Sequence, residues 1–227
     1  EKSRKDNFTA AIEQLMDHDN KKQAHQYFAK AMDVTPNLAK PIFDLLDELN
    51  IQYIVAPYEA DAQLAYLYHQ HIVDAIITED SDLVVYGCQD VLFKMDNKGN
   101  GQRIQFPNTN NVNTTVSPYD FTQFTKNQFL EMCILSGCDY LPSIPKVGLK
   151  KSYLYIKKYG NAEAVIRRWQ FEGQLNVPVD YYQQFQAAKY TFHYQYVYDI
   201  KNQQLTTVTD TPGYSDDKYQ HILGTKF

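Results

Sequence analysis

The sequence predicts an α/β protein with a mainly parallel sheet flanked by helices, followed by a helical lobe. Two short runs of β-forming residues, 53–56 and 74–78, enclose a helical pattern at residues 59–70. A strand, a helix and a second strand in this order form a parallel unit with a right-handed connection. Farther along, a turn region rich in glycine and proline separates two helical patterns. These observations favour one α/β core and one separate helical lobe.

Length and composition allow one sizeable core, or one core with a smaller lobe. Of the 227 residues, 44% are hydrophobic and 22% are charged, both ordinary for a globular protein. The sequence has no apolar run long enough to cross a bilayer and no opening signal peptide. Cys88, Cys133 and Cys138 lack zinc-ligand spacing, which favours reduced thiols in an intracellular protein. Because the first residue is Glu1 rather than Met, we expect a piece of a longer protein.

The sequence is expected to divide into four segments: a helical segment at 1–50, an α/β core at 51–118, a helical lobe at 119–199 and a strand-poor tail at 200–227.

In the core, D-N-K-G-N-G predicts a hairpin with strands at 91–95 and 102–106. In the lobe, Thr125 and Gln128 form a capping-box pattern that opens a helix ending near Ser136. Further helices are expected at 150–159, 162–169 and 181–194.

The first fifty residues predict three helices from their apolar spacing. Thr35 caps the third helix and Pro36 occupies its first position. Pro41 lies one turn farther in, where proline commonly bends a helix. The apolar stripe of this helix is interpreted as core and consists of Leu38, Ile42, Leu45, Leu46 and Leu49.

Two acidic pairs are the strongest candidates for a functional site. Asp80 and Asp82 follow the predicted strand 74–78, whose alternation points both carboxylates to one side, and Glu59 and Asp61 open the predicted helix. Neighbouring carboxylates raise each other's pKa unless a cation neutralises them. With no Cys or His between them, they indicate a hard divalent ion, most simply Mg²⁺. Two ions about 4 Å apart can stabilise the attacking and leaving oxygens of phosphodiester cleavage.

Each acidic residue also has a simpler interpretation. Glu59 and Asp61 can complement the positive end of a helix, and Asp80 and Asp82 can be loop residues in water. Both pairs at neighbouring sheet ends are harder to explain in this way, because four anions would converge without compensation. Asp139, in S-G-C-D-Y, can be an ordinary turn residue after a helix. Its interest is its place at the junction of the acidic core and the basic lobe.

Basic residues concentrate in the helical lobe although the net charge of the chain is -5. Between Lys146 and Arg168 lie seven Lys or Arg side chains, opposed only by Glu163. A local basic stripe can hold a phosphate backbone even on an acidic chain. The turn and the following helix N-terminus can bind phosphate through backbone amides, with Lys150 and Lys151 adding charge. The alternative, a solvated helix face on a packed helical hairpin, stays open.

Three motifs in this order resemble the flap endonuclease family of structure-specific 5′ nucleases, and they are P-Y-E-A-D-A-Q, T-E-D-S-D and L-S-G-C-D-Y-L. The resemblance runs from the first residues to about Asp199. It implies a PIN-like 5′ nuclease core with a helix–two-turn–helix lobe that grips duplex DNA. The opening helices are similar to the mobile arch of that family.

The resemblance also implies a role for each matching residue. The ligands of a two-metal Mg²⁺ catalytic site would be Glu59, Asp61, Asp80, Asp82 and Asp139. The residues around a K⁺ ion that bridges to phosphate would be Ser136, Ser143 and Val147. The residues that contact DNA would be Lys146, Gly148, Lys150, Lys151 and Arg4.

The sequence departs from the family pattern in two places. The family takes two further Asp residues and a Lys from an N-terminal region that is absent here, which leaves the activity of this segment alone open. The turn usually reads G-[IV]-G, whereas here it reads K-V-G. Lys146 therefore replaces a glycine that lets the backbone approach phosphate. The positive charge of lysine can compensate, but K⁺ coordination stays open.

We therefore predict a Mg²⁺-dependent 5′ nuclease that acts on duplex DNA with ends, nicks or flaps. Its expected setting is DNA repair, replication or recombination in the nucleus, with other repair proteins as possible partners and without membrane association. One alternative is a metal-dependent phosphodiesterase that cleaves RNA, against which the basic turn lobe argues. Another is a non-catalytic DNA-binding or scaffold module, which the missing N-terminal residues keep open. The sequence does not decide between exonuclease and flap-endonuclease preference.

Overall fold

The computed structural model describes residues 6–10, 12–13, 21–32, 36–105 and 119–209. The chain forms two units, Glu1–Ile54 and Val55–Phe227. None of the helices within the described ranges is long and apolar enough to span a membrane. Arg4, Thr35, Phe106 and the predicted tail beyond residue 209 lie outside the described residues.

In the first unit, described residues are helical at each of the three places where a helix was predicted. Residues 6–10 and 12–13 are helical, and they are followed by α1, Lys21–Ala31, and α2, Pro36–Glu48. The rings of Phe8 and Phe28 meet edge to face with centroids 5.7 Å apart. The prediction of a helical opening segment from apolar spacing is therefore confirmed for the residues that are described.

The apolar stripe of α2 is exposed, so its interpretation as core is wrong for this structure. Leu38, Ile42, Leu45 and Leu49 are 51%, 59%, 52% and 58% exposed. Helical spacing sorts apolar side chains onto one face, but burial also requires another element packed against that face. Within the described part of this unit, no element covers the stripe.

The second unit contains a small mixed sheet between short helices. Its elements in chain order are α3 Ala60–His69, β1 Ile76–Thr78, α4 Asp82–Val85, β2 Asp90–Phe93 and β3 Gln102–Gln105. The strands lie in the order β1-β2-β3. β1 and β2 are parallel, with Ile76 opposite Val91, and β2 and β3 form the predicted antiparallel hairpin. The expected α/β core is therefore confirmed, with a sheet that is mixed rather than mainly parallel in the described residues.

The strand predicted at residues 53–56 does not form. Residues 51–56 have no regular secondary structure, and Tyr53, Ile54 and Val55 are 39%, 36% and 64% exposed. A strand exists only where a neighbouring backbone supplies its hydrogen-bond partners, and no described residue pairs with this segment. The parallel pair instead joins β1 to β2 through the short helix α4.

The helices predicted for the lobe form, and their buried side chains share one hydrophobic core with those of α3, β1 and β2. Its helices are α5 Lys126–Ser136, α6 Leu149–Tyr159, α7 Ala162–Glu172 and α8 Tyr181–Tyr194. The capping box at Thr125 and Gln128 is confirmed, because each side chain bonds the other residue's backbone N–H. Trp169, Tyr181 and Phe185 are among the largest fully buried side chains. Their burial joins α7 and α8 in one core.

The expectation of a strand-poor ending is wrong for residues 200–209. β4, Tyr196–Asp199, pairs antiparallel with β5, Gln204–Thr207. The Gln63 side chain on α3 donates to the Tyr198 carbonyl at 3.0 Å and accepts from its N–H at 2.7 Å. A buried polar side chain from a distant helix thus satisfies backbone groups of the first strand, and this contact has no signal in the local sequence.

The Glu131 carboxylate joins three helices of the lobe. Glu131 lies on α5, is 6% exposed and accepts a hydrogen bond from the backbone N–H of Ala162, the first residue of α7, at 2.8 Å. It also accepts from Asn127 Nδ2 at 2.9 Å and from Lys189 Nζ, on α8, at 2.7 Å. A buried carboxylate with three donors is satisfied, and it ties α5, α7 and α8 together.

Candidate metal centre and nucleic-acid interface

Three separate places in the second unit carry the predicted carboxylates. Glu59 is the residue before α3, and Asp61 lies in its first turn. Asp80 and Asp82 lie where the chain leaves β1 and enters α4, and Asp139 follows α5. The first pair is therefore positioned by a helix N-terminus rather than by a strand end, which differs from the predicted parallel unit.

A tight turn, rather than strand alternation, positions Asp80 and Asp82. β1 ends at Thr78, whose Oγ1 accepts a hydrogen bond from the Asp80 N–H at 3.0 Å. Asp80 Oδ1 then accepts from the Asp82 N–H at 2.8 Å, and α4 begins at Asp82. The predicted period-2 orientation is wrong here because the extended chain has already ended before the first of these carboxylates.

The five carboxylates share one electrostatic environment. Burial raises the pKa of Asp82 to about 6, and the charges of Asp80, Asp139, Asp61 and Glu59 add to this effect in that order. Burial also raises the pKa of Asp61, with further contributions from Asp80, Glu59 and Asp139. In the described part of the chain no salt bridge involves any of the five. Negative charge is therefore concentrated here, and no Lys or Arg among the described residues forms an ion pair with it.

This donor set fits a hard divalent cation in chemistry, since it consists of carboxylate oxygens alone. Among the described residues, however, no three Asp, Glu, His or Cys side chains lie close enough together to hold one ion as they stand. Binding of a cation would relieve the mutual repulsion that, together with burial, raises the pKa values of Asp61 and Asp82. Metal ligation by these residues accordingly stays a proposal.

A pair of tyrosines beside Glu59 was missed by the sequence reasoning. The Tyr140 hydroxyl donates to Glu59 Oε2 and lies 3.0 Å from the Tyr86 hydroxyl. Tyr86 also lies 3.0 Å from Gln195 Oε1, and the Phe192 ring packs on both tyrosine rings. Burial raises the pKa of both hydroxyls, so both stay protonated at neutral pH. The sequence signal that could have indicated Tyr140 is its position directly after the candidate ligand Asp139.

The turn after α5 brings two of the three predicted K⁺ residues near each other. Gly137 has a φ of +103°, and a Cβ there would lie 3.2 Å from the Ser143 backbone nitrogen. The backbone of this turn therefore approaches Ser143 closely, next to Ser136. Ser136 Oγ donates to the Cys133 carbonyl at 2.7 Å. Val147 is buried in the following turn, where its N–H donates to the Ile144 carbonyl at 2.8 Å.

Lys146 adopts the backbone conformation that glycine favours. Its φ is +70°, in the left-handed region, and its side chain is exposed. An L-residue there costs roughly 1 kcal/mol relative to glycine. The position at which the family motif has glycine therefore keeps the glycine-type backbone, while the side chain adds a positive charge to the surface.

The basic stripe separates into paired and unpaired side chains. Arg167 and Arg168 form ion pairs with acidic residues of their own helix, α7. Lys150 and Lys151 lie in the first turn of α6, which begins after Gly148 without a side-chain cap. In the described structure Lys146, Lys150 and Lys151 have no ion pair. These lysines, next to uncapped backbone amides, are the part of the stripe available to an anionic ligand.

Comparison with known proteins finds similarity along most of the chain. The model of the XPG I-region matches residues 50–139. Exonuclease 1 of Oryza sativa subsp. japonica is 38% identical over 221 residues, covering 96% of this chain and 25% of that protein. Flap endonuclease-1 from Methanococcus jannaschii superimposes with a TM-score of 0.53 at 21% identity, over 75% of this chain and 48% of the other. The catalytic core of Rad2 in complex with DNA substrate superimposes with a TM-score of 0.53 at 23% identity, over 69% of this chain and 56% of the other.

These superpositions show that the chain shares the fold of the matched parts of the two structures. These sequence similarities relate the chain to the flap endonuclease family. Within that family its sequence is similar to exonuclease 1. It spans about a quarter of the length of the rice relative.

Proposed function

We propose that the protein containing this chain is a Mg²⁺-dependent 5′ nuclease that hydrolyses phosphodiester bonds of duplex DNA at ends, nicks or flaps. The observation that carries the proposal is the proximity of Asp82 to four other carboxylates, whose charges add to the effect of burial and raise its pKa to about 6. The 38% identity to rice exonuclease 1 supports an enzyme over a scaffold module. Action in DNA repair and recombination in the nucleus, alongside other repair proteins, is part of the same proposal.

The proposed ligands of two Mg²⁺ ions are Glu59, Asp61, Asp80, Asp82 and Asp139. Bound Mg²⁺ supplies Lewis acidity and a lowered pKa for water at the scissile phosphate. The protein's own contribution is to hold the carboxylates in place. The Asp80–Asp82 turn fixes one pair, through hydrogen bonds of 3.0 and 2.8 Å, and the start of α3 fixes the other.

The helical lobe is proposed to hold the duplex through its phosphate backbone. Lys146, Lys150 and Lys151 supply charge, and Gly148 leaves the amides at the start of α6 open to a phosphate. A K⁺ ion at Ser136, Ser143 and Val147 is part of the proposal, supported by the close approach of the backbone at Gly137 to Ser143. Arg4 is proposed as a further DNA contact from its position in the sequence.

The function is tested by comparing nucleic-acid substrates with the full-length protein. We expect Mg²⁺-dependent cleavage of nicked and flapped duplex DNA, and no cleavage in EDTA. Single-stranded RNA of the same sequence should be cleaved far more slowly, because it does not present a duplex backbone to the lobe. Preferential cleavage of RNA would replace the proposal with the RNA-cleaving alternative. Duplex binding without any cleavage would favour a scaffold module.

Replacing Lys150 and Lys151 with alanine together should weaken duplex binding equally for different sequences. These side chains are expected to contact phosphates, and each lost phosphate contact makes the negative slope of log K against log salt concentration shallower by about 0.9. We expect the magnitude of the slope to fall by about 1 to 2, measured by fluorescence anisotropy across a salt series. The matched control replaces Lys94 and Lys98 of the β2–β3 hairpin, and its slope should equal that of the wild type. An unchanged slope in the Lys150/Lys151 variant would identify these lysines as a solvated helix face.

A further inference from the structure

The Glu59 side chain is not used by the helix that it precedes. Glu59 has extended backbone angles, φ -95° and ψ 138°, and its carboxylate makes no hydrogen bond to the backbone of α3. Such a residue commonly caps the helix with its side-chain oxygen. Here the Glu59 carboxylate instead accepts a hydrogen bond from Tyr140, which is 81 residues away. The contact therefore comes from tertiary structure rather than from helix formation.

Tyr140 is itself held by buried groups. The Tyr86 hydroxyl lies 3.0 Å from the Tyr140 hydroxyl and 3.0 Å from the Gln195 side-chain oxygen. Tyr86, Phe192 and Gln195 are 9%, 3% and 7% exposed. The Phe192 ring centroid lies 5.0 Å from that of Tyr86 and 4.9 Å from that of Tyr140. Packing on both rings restricts the position of the hydroxyl that reaches Glu59.

Four contacts join Gln195, Tyr86, Tyr140 and Glu59, and the two hydroxyls have one hydrogen each to donate. The Tyr86 hydroxyl donates to Gln195 Oε1, and the Tyr140 hydroxyl, whose longer contact with the same oxygen is 3.5 Å, donates to the Glu59 carboxylate. Within the described residues, Tyr140 is the side chain that donates to Glu59, and it does so at Oε2, which leaves Oε1 for another partner.

We propose that Tyr140, supported by Tyr86 and Gln195, is a positioning residue that restricts the Glu59 carboxylate before a divalent cation binds, with one carboxylate oxygen left for the cation. This inference rests on the proposed function, because it assumes that Glu59 is a ligand. An exposed glutamate has several rotatable bonds, and ordering them costs free energy when a ligand binds. A fixed hydroxyl donor pays part of that cost before the cation arrives. Hydrogen-bond partners of metal-ligating groups typically affect metal affinity about 10- to 100-fold.

The test measures binding of Mn²⁺ to the full-length protein by electron paramagnetic resonance, without DNA. Tyr140→Phe removes only the hydroxyl and keeps the ring against Phe192, and we expect Mn²⁺ affinity to fall about 10- to 100-fold. Cleavage should require correspondingly more Mg²⁺ and recover when Mg²⁺ is saturating. The control is Tyr153→Phe, which removes a hydroxyl bonded to the backbone of Asp120 on another side of the lobe. Its Mn²⁺ affinity should stay within about twofold of the wild type.

The outcomes separate this inference from the proposed function. Unchanged Mn²⁺ affinity in Tyr140→Phe, with affinity lost in Asp82→Asn, would overturn the positioning role and leave the nuclease proposal intact. An equal fall in Tyr153→Phe would also overturn it, since the effect would then be general destabilisation. Absence of Mn²⁺ binding in the wild type would overturn both. If Tyr140→Phe does not fold, Tyr86→Phe makes the same test, because it removes the support of Tyr140 and should lower affinity in the same direction.

Discussion

Replacing Asp82 with asparagine is expected to abolish Mg²⁺-dependent cleavage and also to stabilise the metal-free protein. Burial and four neighbouring carboxylates raise the pKa of Asp82 to about 6 from 3.8. Its ionised form is therefore disfavoured in the folded state at neutral pH, and a neutral amide removes that cost. The loss of one metal ligand should reduce the cleavage rate about 10³-fold or more, since metal catalysis supplies several kcal/mol.

The sign of the stability effect follows from the raised pKa. Between about pH 4 and pH 6 the folded state binds more protons than the unfolded state. The contribution of Asp82 to the free energy of unfolding is therefore favourable below pH 4 and is lost as the pH rises through 6. At pH 7 in EDTA, Asp82→Asn should recover about 1 kcal/mol after allowance for solvent screening, or about 2–4 °C in Tm.

The matched control for Asp82→Asn is Asp96→Asn in the β2–β3 hairpin. Hydrogen bonds from the Asn100 side chain and from backbone N–H groups lower the pKa of Asp96, so its ionised form is favoured in the folded state. Asp96→Asn should therefore leave cleavage unchanged and should not raise Tm. Added Mg²⁺ should raise the Tm of the wild type and of this control but not that of Asp82→Asn. Full cleavage by Asp82→Asn, or a lower Tm in EDTA, would contradict the assignment.

Replacing Glu131 with alanine is expected to have the largest effect on stability, about 3–5 kcal/mol, because it breaks a buried ion pair. The variant leaves Lys189, whose side chain is 22% exposed, without its 2.7 Å partner. It also leaves the Ala162 N–H, at the start of α7, without an acceptor in a buried position. Thermal and urea unfolding should both report the loss. Glu131→Gln, which keeps one acceptor oxygen but no charge, should lie between alanine and the wild type.

The control for Glu131→Ala is Glu172→Ala, which removes an ion pair within one helix. Glu172 accepts from Arg168 Nε at 2.6 Å, and the side chain of Arg168 is 43% exposed. Exposed pairs of this kind contribute about 0–1 kcal/mol. Equal destabilisation by the two variants would mean that the burial of Glu131 and its three donors do not determine the stability of the lobe.

Structure that depends on near neighbours in the chain was predicted well. The helices of the lobe have start and end signals within a few residues, such as the capping box at Thr125 and Gln128 and the glycine at 160. The β2–β3 hairpin has its turn signal in D-N-K-G-N-G. The family followed from three short motifs that carry the acidic residues.

The predictions were wrong where the structure of a segment depends on burial or on a partner distant in the sequence. Residues 53–56 have strand-forming side chains but no strand beside them among the described residues, and the α2 stripe has helical spacing but no described element covering it. The β4–β5 hairpin was not predicted, because the Gln63 side chain that bonds its backbone lies 135 residues away in the sequence. Local pattern determines which conformation a segment prefers, but not whether another segment is present to satisfy it.

The sequence alone predicted an α/β protein related to the flap endonuclease family. It also predicted a basic helical lobe and candidate metal-binding carboxylates at three places along the chain. Tertiary structure alone decided that the charges of these carboxylates act on one another, that Tyr140 reaches Glu59, and that Glu131 joins three helices. Fold class and motifs can be predicted from sequence because they depend on side-chain types and on residues close together in the chain. Electrostatic repulsion, burial and hydrogen-bond networks depend instead on distances between residues that folding brings together.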